Sequence, residues 1–137
     1  MIDFWWKQIG KEAALVDYWQ KNKMLVTYVP VSGYRKRWRG FNQSKLIAQA
    51  VSGVLGLELW EGIRKVKNTP PRAGFSKKER WQGVRGVFRT KQAVGNEGLV
   101  VVDDVITSGA TIKEIGRVLT AGGAKEVWFL GLLQVQV

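Results

Sequence analysis

Two adjacent carboxylates, Asp103 and Asp104, follow an apolar run and precede a loop of small and hydroxyl-bearing residues. Main-chain N–H groups of such a loop can converge on an anion, and the helix that begins there adds the positive end of its dipole. We expect a monophosphate site formed by Thr107, Ser108, Gly109, Ala110 and Thr111. Because carboxylates would repel the phosphate itself, Asp103 and Asp104 are predicted to accept hydrogen bonds from the hydroxyls of a sugar that carries it.

The elements around this loop predict an open parallel sheet. Residues 99–102 are a continuous apolar, β-branched run, which is typical of a strand covered on both faces. The carboxyl end of such a strand faces the ligand crevice of an open α/β sheet. Residues 111–121 show the apolar spacing of an amphipathic helix ended by Gly122 and Gly123, and residues 127–133 form another apolar run. A strand, a helix and a second strand in this order indicate a parallel crossover.

The first half of the chain predicts a helix, a strand and a second helix. Apolar residues spaced by three, four and seven predict a helix from Asp3, as its N-cap, to about Lys21. Residues 24–31 predict a buried strand. Asn42 is placed to cap a helix that runs to about Leu55 and is closed by Gly56. We expect Asn42 itself to have a structural role.

The middle of the chain predicts shorter elements. Residues 57–67 read as one or two short strands, and the prolines and glycine of residues 68–74 exclude regular structure there. Ser76 and Glu79 match a capping box, which predicts a helix to about Trp81. The basic, glycine-containing residues 80–91 predict a mobile segment. Together these patterns predict one α/β domain over residues 1–137, with an N-terminal helix in 1–22 and a core in 24–137.

Composition limits the chemistry and indicates anionic partners. There is no cysteine and no histidine, so thiolate nucleophiles, zinc-thiolate sites and imidazole bases are excluded. The net charge is +11, and residues 35–91 hold 15 of the 22 lysines and arginines, which favours binding of phosphorylated molecules or nucleic acid. The apolar runs are far shorter than the roughly 20 residues that cross a bilayer. We expect no membrane partner and a cytoplasmic location.

The segment around Asp103 resembles the PRPP-binding signature of type I phosphoribosyltransferases, where PRPP is 5-phosphoribosyl 1-pyrophosphate. Further segments, over about residues 28–137, resemble the ComF/GntX family: Pro30-Val31, Arg39-Gly40-Phe41-Asn42-Gln43, Thr69-Pro70-Pro71, Ala73-Gly74 and Arg80. Arg72 and Gly83 depart from that pattern, in which glutamine and asparagine are expected. The resemblance implies a three-layer α/β/α fold with a mainly parallel central sheet, the type I phosphoribosyltransferase fold.

The same resemblance implies an activity. The chain would be a pentosyltransferase that binds PRPP, with magnesium carried on the pyrophosphate and no direct protein ligand to the metal. Asp103 and Asp104 would hold the ribose hydroxyls and act in catalysis, and residues 107–111 would hold the 5-phosphate. Pyrophosphate would be bound by Ser32, Gly33, Tyr34, Arg35, Arg37 and Arg39. A mobile loop would contribute Lys67, Arg72, Lys78 and Arg80.

Two other functions stay open. The basic residues alternate with aromatic ones such as Tyr34, Trp38, Phe75 and Trp81, a composition used to bind single-stranded nucleic acid, and the ComF resemblance implies a role in DNA uptake. A PRPP-sensing protein without turnover would carry the same loop. The acceptor is not identified by any motif, and a homodimer could complete the acceptor pocket.

Overall fold

The elements alternate between strands and helices along most of the chain. The structure is a computed structural model that describes residues 2–4, 13–30, 42–67, 76–106 and 109–134. In chain order its elements are β1 (Ile2–Phe4), α1 (Ala13–Lys21), β2 (Leu25–Tyr28), α2 (Gln43–Leu55), β3 (Ile63–Lys65), α3 (Lys77–Val84), β4 (Phe88–Thr90), β5 (Gly98–Ile106), α4 (Ala110–Ala121) and β6 (Glu126–Gln134). Every helix in these ranges is too short or too polar to cross a bilayer.

Four strands form one parallel sheet in the order β1-β6-β5-β2. β5 is central and pairs with β2 on one side and β6 on the other. Next to β2, the main chain of Val26 bonds to Glu58 and Trp60, which extends the sheet by an isolated bridge at Leu59. β3 and β4 form a separate antiparallel pair, the β3–β4 ribbon.

The side chains of β5 alternate between two apolar layers, as predicted for a strand covered on both faces. Leu99 and Val101 join one layer with α4 and the β3–β4 ribbon, whereas Val100 and Val102 join the other with α1 and α2. All four side chains are fully buried. The three-layer α/β/α arrangement predicted from the sequence is therefore confirmed.

Predicted helix ends are also confirmed where local chemistry sets them. The Asn42 side chain accepts a hydrogen bond from the main-chain N–H of Lys45, and Gly56 closes α2 in the left-handed conformation, with φ of 67°. Ser76 and Glu79 form the predicted capping box of α3. That helix continues three residues beyond Trp81, to Val84.

The N-terminal prediction is wrong in one respect. Asp3 does not cap a helix, because Ile2–Phe4 is a strand that pairs in parallel with Val127, Trp128 and Phe129 of β6. The edge of β6 otherwise presents unpaired main-chain groups, and an added strand satisfies them. Helical spacing in the sequence carries no information about such distant pairing. Among the described residues, α1 begins at Ala13.

Two further parts of the chain contain more regular structure than the sequence indicates. Residues 80–91, predicted as a mobile segment, contain the end of α3 and all of β4, with Val84, Val87 and Phe88 buried. These three side chains bind the segment to the core despite the charges between them. β5 also runs beyond Val102 to Ile106, so Asp103 and Asp104 lie within the strand rather than after it. Pairing with the long strand β6 maintains this extension.

Gly62 lies where a methyl group would not fit. A Cβ atom at this position would be 2.1 Å from an indole carbon of Trp60, whose side chain belongs to the buried core. We expect Gly62→Ala to lower the free energy of unfolding in urea by about 1–3 kcal/mol, the usual cost of overpacking. As the control, Gly53→Ala lies in α2 with no atom within 4 Å of the added Cβ and is expected to raise it by about 0.5–1 kcal/mol. Equal stability of the two variants would contradict this packing.

Candidate functional site

The candidate site lies at the carboxyl ends of β2 and β5, next to the first turn of α2. These neighbouring strands are parallel, and Tyr28, the last residue of β2, is in register with Val102. The next residue of β5, Asp103, is in register with Gly131 of β6 and has a partly exposed side chain. Tyr28 and Asp103 therefore face the same edge of the sheet, which is the ligand-binding edge of open α/β folds.

Ser44 holds the carboxylate of Asp103. The Ser44 hydroxyl donates a hydrogen bond of 3.0 Å to Asp103 Oδ1 across 59 residues of sequence. The position of Ser44 follows from the buried Asn42 cap. Because α2 begins at Gln43, directly after this cap, Ser44 is the second residue of the helix. The carboxylate thus lies against a helix N-terminus, where the helix dipole favours a negative charge.

A second carboxylate at this edge, Glu61, is held by two donors. Glu61 accepts hydrogen bonds from the Tyr28 hydroxyl at 2.8 Å and from Lys45 Nζ at 2.9 Å. The hydrogen bond from Lys45, followed by that from Tyr28, lowers the pKa of Glu61. Burial and then the hydrogen bond to Glu61 raise the pKa of Tyr28. Glu61 stays ionised and Tyr28 stays a donor at neutral pH, so the first turn of α2 is tied to the end of β2.

The helix that follows β5, α4, has Gly109 as its N-cap. This residue has a φ of 78°, in the left-handed region that favours glycine, and no side chain of the described residues caps the helix. The first helical hydrogen bond runs from the Lys113 N–H to the Gly109 carbonyl. The preceding N–H groups of the first turn have no acceptor within the helix, which is the arrangement that binds phosphate.

Glu114 fixes α4 to the turn that joins α3 and β4. Its carboxylate is 1% exposed and accepts hydrogen bonds from the Gly86 main-chain N–H at 2.9 Å and from Arg117 Nη2 at 2.6 Å. The hydrogen bond from Arg117 is the main cause that lowers the pKa of Glu114, and the Gly86 N–H lowers it further. Lys113 lies over the ring of Trp81 at 5.7 Å and joins α3 to α4 a second time.

The structure describes about half of the site residues predicted from the sequence. Asp103 and Gly109 lie at the carboxyl edge, and Ala110 and Thr111 form the first turn of α4. Asp104 is in β5, but its side chain is outside the described part, as are Thr107 and Ser108. The other predicted site residues outside the described ranges are Ser32, Gly33, Tyr34, Arg35, Arg37, Arg39 and Arg72. Lys67 and Lys78 are described and exposed, and Arg80 lies in α3.

Sequence reasoning missed Tyr28, Ser44, Lys45 and Glu61 as members of this site. A signal for two of them was present, because the predicted Asn42 cap places Ser44 and Lys45 in the first turn of a helix that follows a strand of the sheet. Glu61 gives no such signal, since its contacts with Tyr28 and Lys45 depend on how the chain returns beside β2.

A cleft of about 660 Å³ lies at the opposite edge of the sheet. It is lined by residues at the amino ends of β2, β5 and β6, among them Lys23, Gly98 and Lys125. None of the predicted site residues is among those that line it. We therefore place the candidate site by its chemistry, at the carboxyl edge.

Comparison with curated proteins gives clear relatives, although no protein-family model matches the chain. The chain is 34% identical over 108 residues to Competence protein F of Haemophilus influenzae. This alignment covers 76% of the chain and 47% of that protein. It is 37% identical over 101 residues to DNA utilization protein YhgH of Salmonella typhi, which covers 70% of the chain and 44% of that protein. The chain thus spans less than half the length of these relatives.

Comparison with solved structures identifies the fold. An adenine phosphoribosyltransferase matches with a TM-score of 0.57 and 14% identity, over 89% of this chain and 64% of the other. A second, from Saccharomyces cerevisiae in complex with adenine and an imino-altritol bisphosphate, matches with a TM-score of 0.56 and 13% identity, over 89% and 62%. The architecture is that of the type I phosphoribosyltransferase fold.

The buried carboxylate of Glu114 predicts a pH-dependent stability. A lowered pKa stabilises the fold above the unfolded-state value of about 4.3, and this contribution is lost as the pH falls through the folded-state pKa. We expect Glu114→Gln to lower the free energy of unfolding at pH 7 by about 1–3 kcal/mol, since the exposed Arg117 tempers the loss. The deficit should shrink in urea unfolding between pH 5 and pH 3. A deficit independent of pH, or one shared by the exposed control Glu97→Gln, would contradict the role of the Glu114 charge.

Proposed function

The chain belongs to the ComF/GntX family of proteins with a type I phosphoribosyltransferase-like domain, and we propose that it binds PRPP at the carboxyl edge of its sheet. The observation that carries the proposal is the arrangement of the chain segment from Asp103 to Gly109. A carboxylate that accepts a hydrogen bond from Ser44 lies at one end of this segment, and the N-terminus of α4 lies at the other. Acceptors for ribose hydroxyls and donors for a phosphate therefore follow one another in the order in which ribose and 5-phosphate are joined in PRPP.

Each part of PRPP is assigned to residues of this chain. Asp103 and Asp104 accept hydrogen bonds from the ribose 2- and 3-hydroxyls, and residues 107–111 donate to the 5-phosphate. The pyrophosphate is assigned to Ser32, Gly33, Tyr34, Arg35, Arg37 and Arg39, and the positive charges of the three arginines offset its negative charge. The mobile loop is assigned the basic residues Lys67, Arg72, Lys78 and Arg80, of which Lys78 and Arg80 lie in α3.

The proposed reaction transfers the phosphoribosyl group to an acceptor. The bond from the anomeric carbon to pyrophosphate breaks with its electron pair leaving on the pyrophosphate, and the acceptor forms a new bond to that carbon and releases a proton. The state between them resembles an oxocarbenium ion, so stabilisation of charge matters more than a protein nucleophile. Magnesium, bound mainly through the pyrophosphate oxygens, would neutralise charge on the leaving group. Mg²⁺ prefers oxygen ligands, which the pyrophosphate and water would supply, so the proposal assigns it no direct ligand from the protein.

The proposal predicts that the two carboxylates are required for PRPP affinity. We expect Asp103→Asn and Asp104→Asn each to weaken PRPP binding by about tenfold or more, because a charged acceptor for a ribose hydroxyl is lost. Isothermal titration calorimetry with magnesium measures this. The control Asp17→Asn removes an exposed carboxylate from α1 that pairs only with Lys21 among the described residues, and it should leave PRPP affinity unchanged. Unchanged affinity in both site variants would refute the assignment.

A specific observation favours a second function, the binding of single-stranded DNA. Arg64 and Arg89 are directly opposite each other in the β3–β4 ribbon, and both are exposed. Like charges in this position destabilise a strand pair. In the described part of the chain neither forms a salt bridge. A polyanion that binds both guanidinium groups would relieve this repulsion, and the names of the relatives, Competence protein F and DNA utilization protein YhgH, agree with such a partner.

The DNA hypothesis predicts a change in salt dependence. Two lost phosphate contacts should reduce the slope of log affinity against log salt concentration by about 1.4. We expect this for Arg64→Ala/Arg89→Ala, measured by fluorescence anisotropy with a labelled oligothymidine. The control Lys21→Ala/Lys125→Ala removes the same charge from exposed positions outside the ribbon. If both double variants reduce the slope of log affinity against log salt concentration by the same amount, the binding depends on net charge and not on the ribbon.

A further inference from the structure

Ser44 is a buried polar residue whose one described side-chain partner is the carboxylate of Asp103. Ser44 as a whole is 5% exposed, so its hydroxyl needs a hydrogen bond within the protein. It donates that bond to Asp103 Oδ1 at 3.0 Å. The bond joins the first turn of α2 to β5, two elements that no local sequence signal connects.

The surroundings of Ser44 are built to keep it in place. The Asn42 side chain accepts from the Lys45 N–H, which fixes the turn that contains Ser44. Lys45 is tied to Glu61, which also binds the Tyr28 hydroxyl at the end of β2. The hydroxyl of Ser44 therefore approaches Asp103 from a turn that is held at both ends.

We infer that Ser44 is a positioning residue, which fixes the Asp103 carboxylate in the orientation that accepts a ribose hydroxyl. This inference rests on the proposed binding of PRPP. One oxygen of the carboxylate, Oδ1, accepts the hydrogen bond from the Ser44 hydroxyl, and this bond restricts rotation of the carboxylate. An oriented acceptor loses less side-chain entropy when the sugar binds than a rotating one does.

Calorimetric titration of the 137-residue chain with PRPP and magnesium tests the inference. We expect Ser44→Ala to weaken binding by roughly two- to tenfold, the cost of immobilising one side chain when the ligand binds. Ser44→Thr keeps the hydroxyl and is expected to restore most of the affinity. Ser52→Ala is the matched control, because its hydroxyl in the same helix donates to the Leu57 carbonyl and lies away from the site. It should alter thermal stability but not PRPP affinity.

A double-mutant cycle separates positioning from general structural support. If Ser44 acts through Asp103, then Ser44→Ala in the Asp103→Asn background should change affinity less than about twofold. Full additivity, or wild-type affinity in Ser44→Ala, overturns the inference while leaving the proposed function intact. A wild-type chain that does not bind PRPP overturns both. If Ser44→Ala does not fold, Ser44→Thr decides: weak binding by folded Ser44→Thr overturns the inference, and retained binding supports it.

Discussion

The complete burial of β5 is the constraint on which the rest of the structure depends. Residues Leu99 to Val102 are fully buried, so their main-chain groups must be paired on both edges and their side chains covered on both faces. Parallel neighbours β2 and β6 meet the first need, and helices on the two faces meet the second. With the strand so enclosed, Asp103 is the first polar side chain of β5 to reach the carboxyl edge. The position of the candidate site is therefore a consequence of the core.

The carboxylates of this edge are stabilised although the chain as a whole is strongly basic. Asp103 accepts a hydrogen bond from the Ser44 hydroxyl in the first turn of α2. Glu61 accepts hydrogen bonds from the Lys45 ammonium and the Tyr28 hydroxyl. The two hydrogen bonds to Glu61 lower its pKa and keep it ionised, and the start of α4 adds main-chain donors close to Asp103 in sequence. An edge that combines fixed acceptors with helix N–H groups suits a ligand with both hydroxyls and phosphates.

The sequence predicted the features that depend on neighbouring residues. The Asn42 cap, the Gly56 stop, the capping box of Ser76 and the apolar run of β5 are all local, and all are present. The errors concern pairing between distant segments: β1 on the edge of β6, the β3–β4 ribbon, and the continuation of β5 through two aspartates. The candidate site shows the same difference between local and distant features, since Asp103 is predicted from its own motif. Its partner Ser44 is not, because their contact spans 59 residues.

The two candidate ligands make opposite demands on the charge of the protein. PRPP requires carboxylates that accept ribose hydroxyls, and these same carboxylates repel a polyanionic backbone. Nucleic acid is bound by cations such as Arg64 and Arg89, which form no salt bridge within the described ranges and whose effect is screened by salt. Different side chains must therefore carry the two functions. The β3–β4 ribbon and α4 nevertheless share one apolar layer, through Ile63, Phe88 and Ile112, so the core joins the two candidate sites. Any coupling between them would pass through that layer, because the two sets of charges have no residue in common.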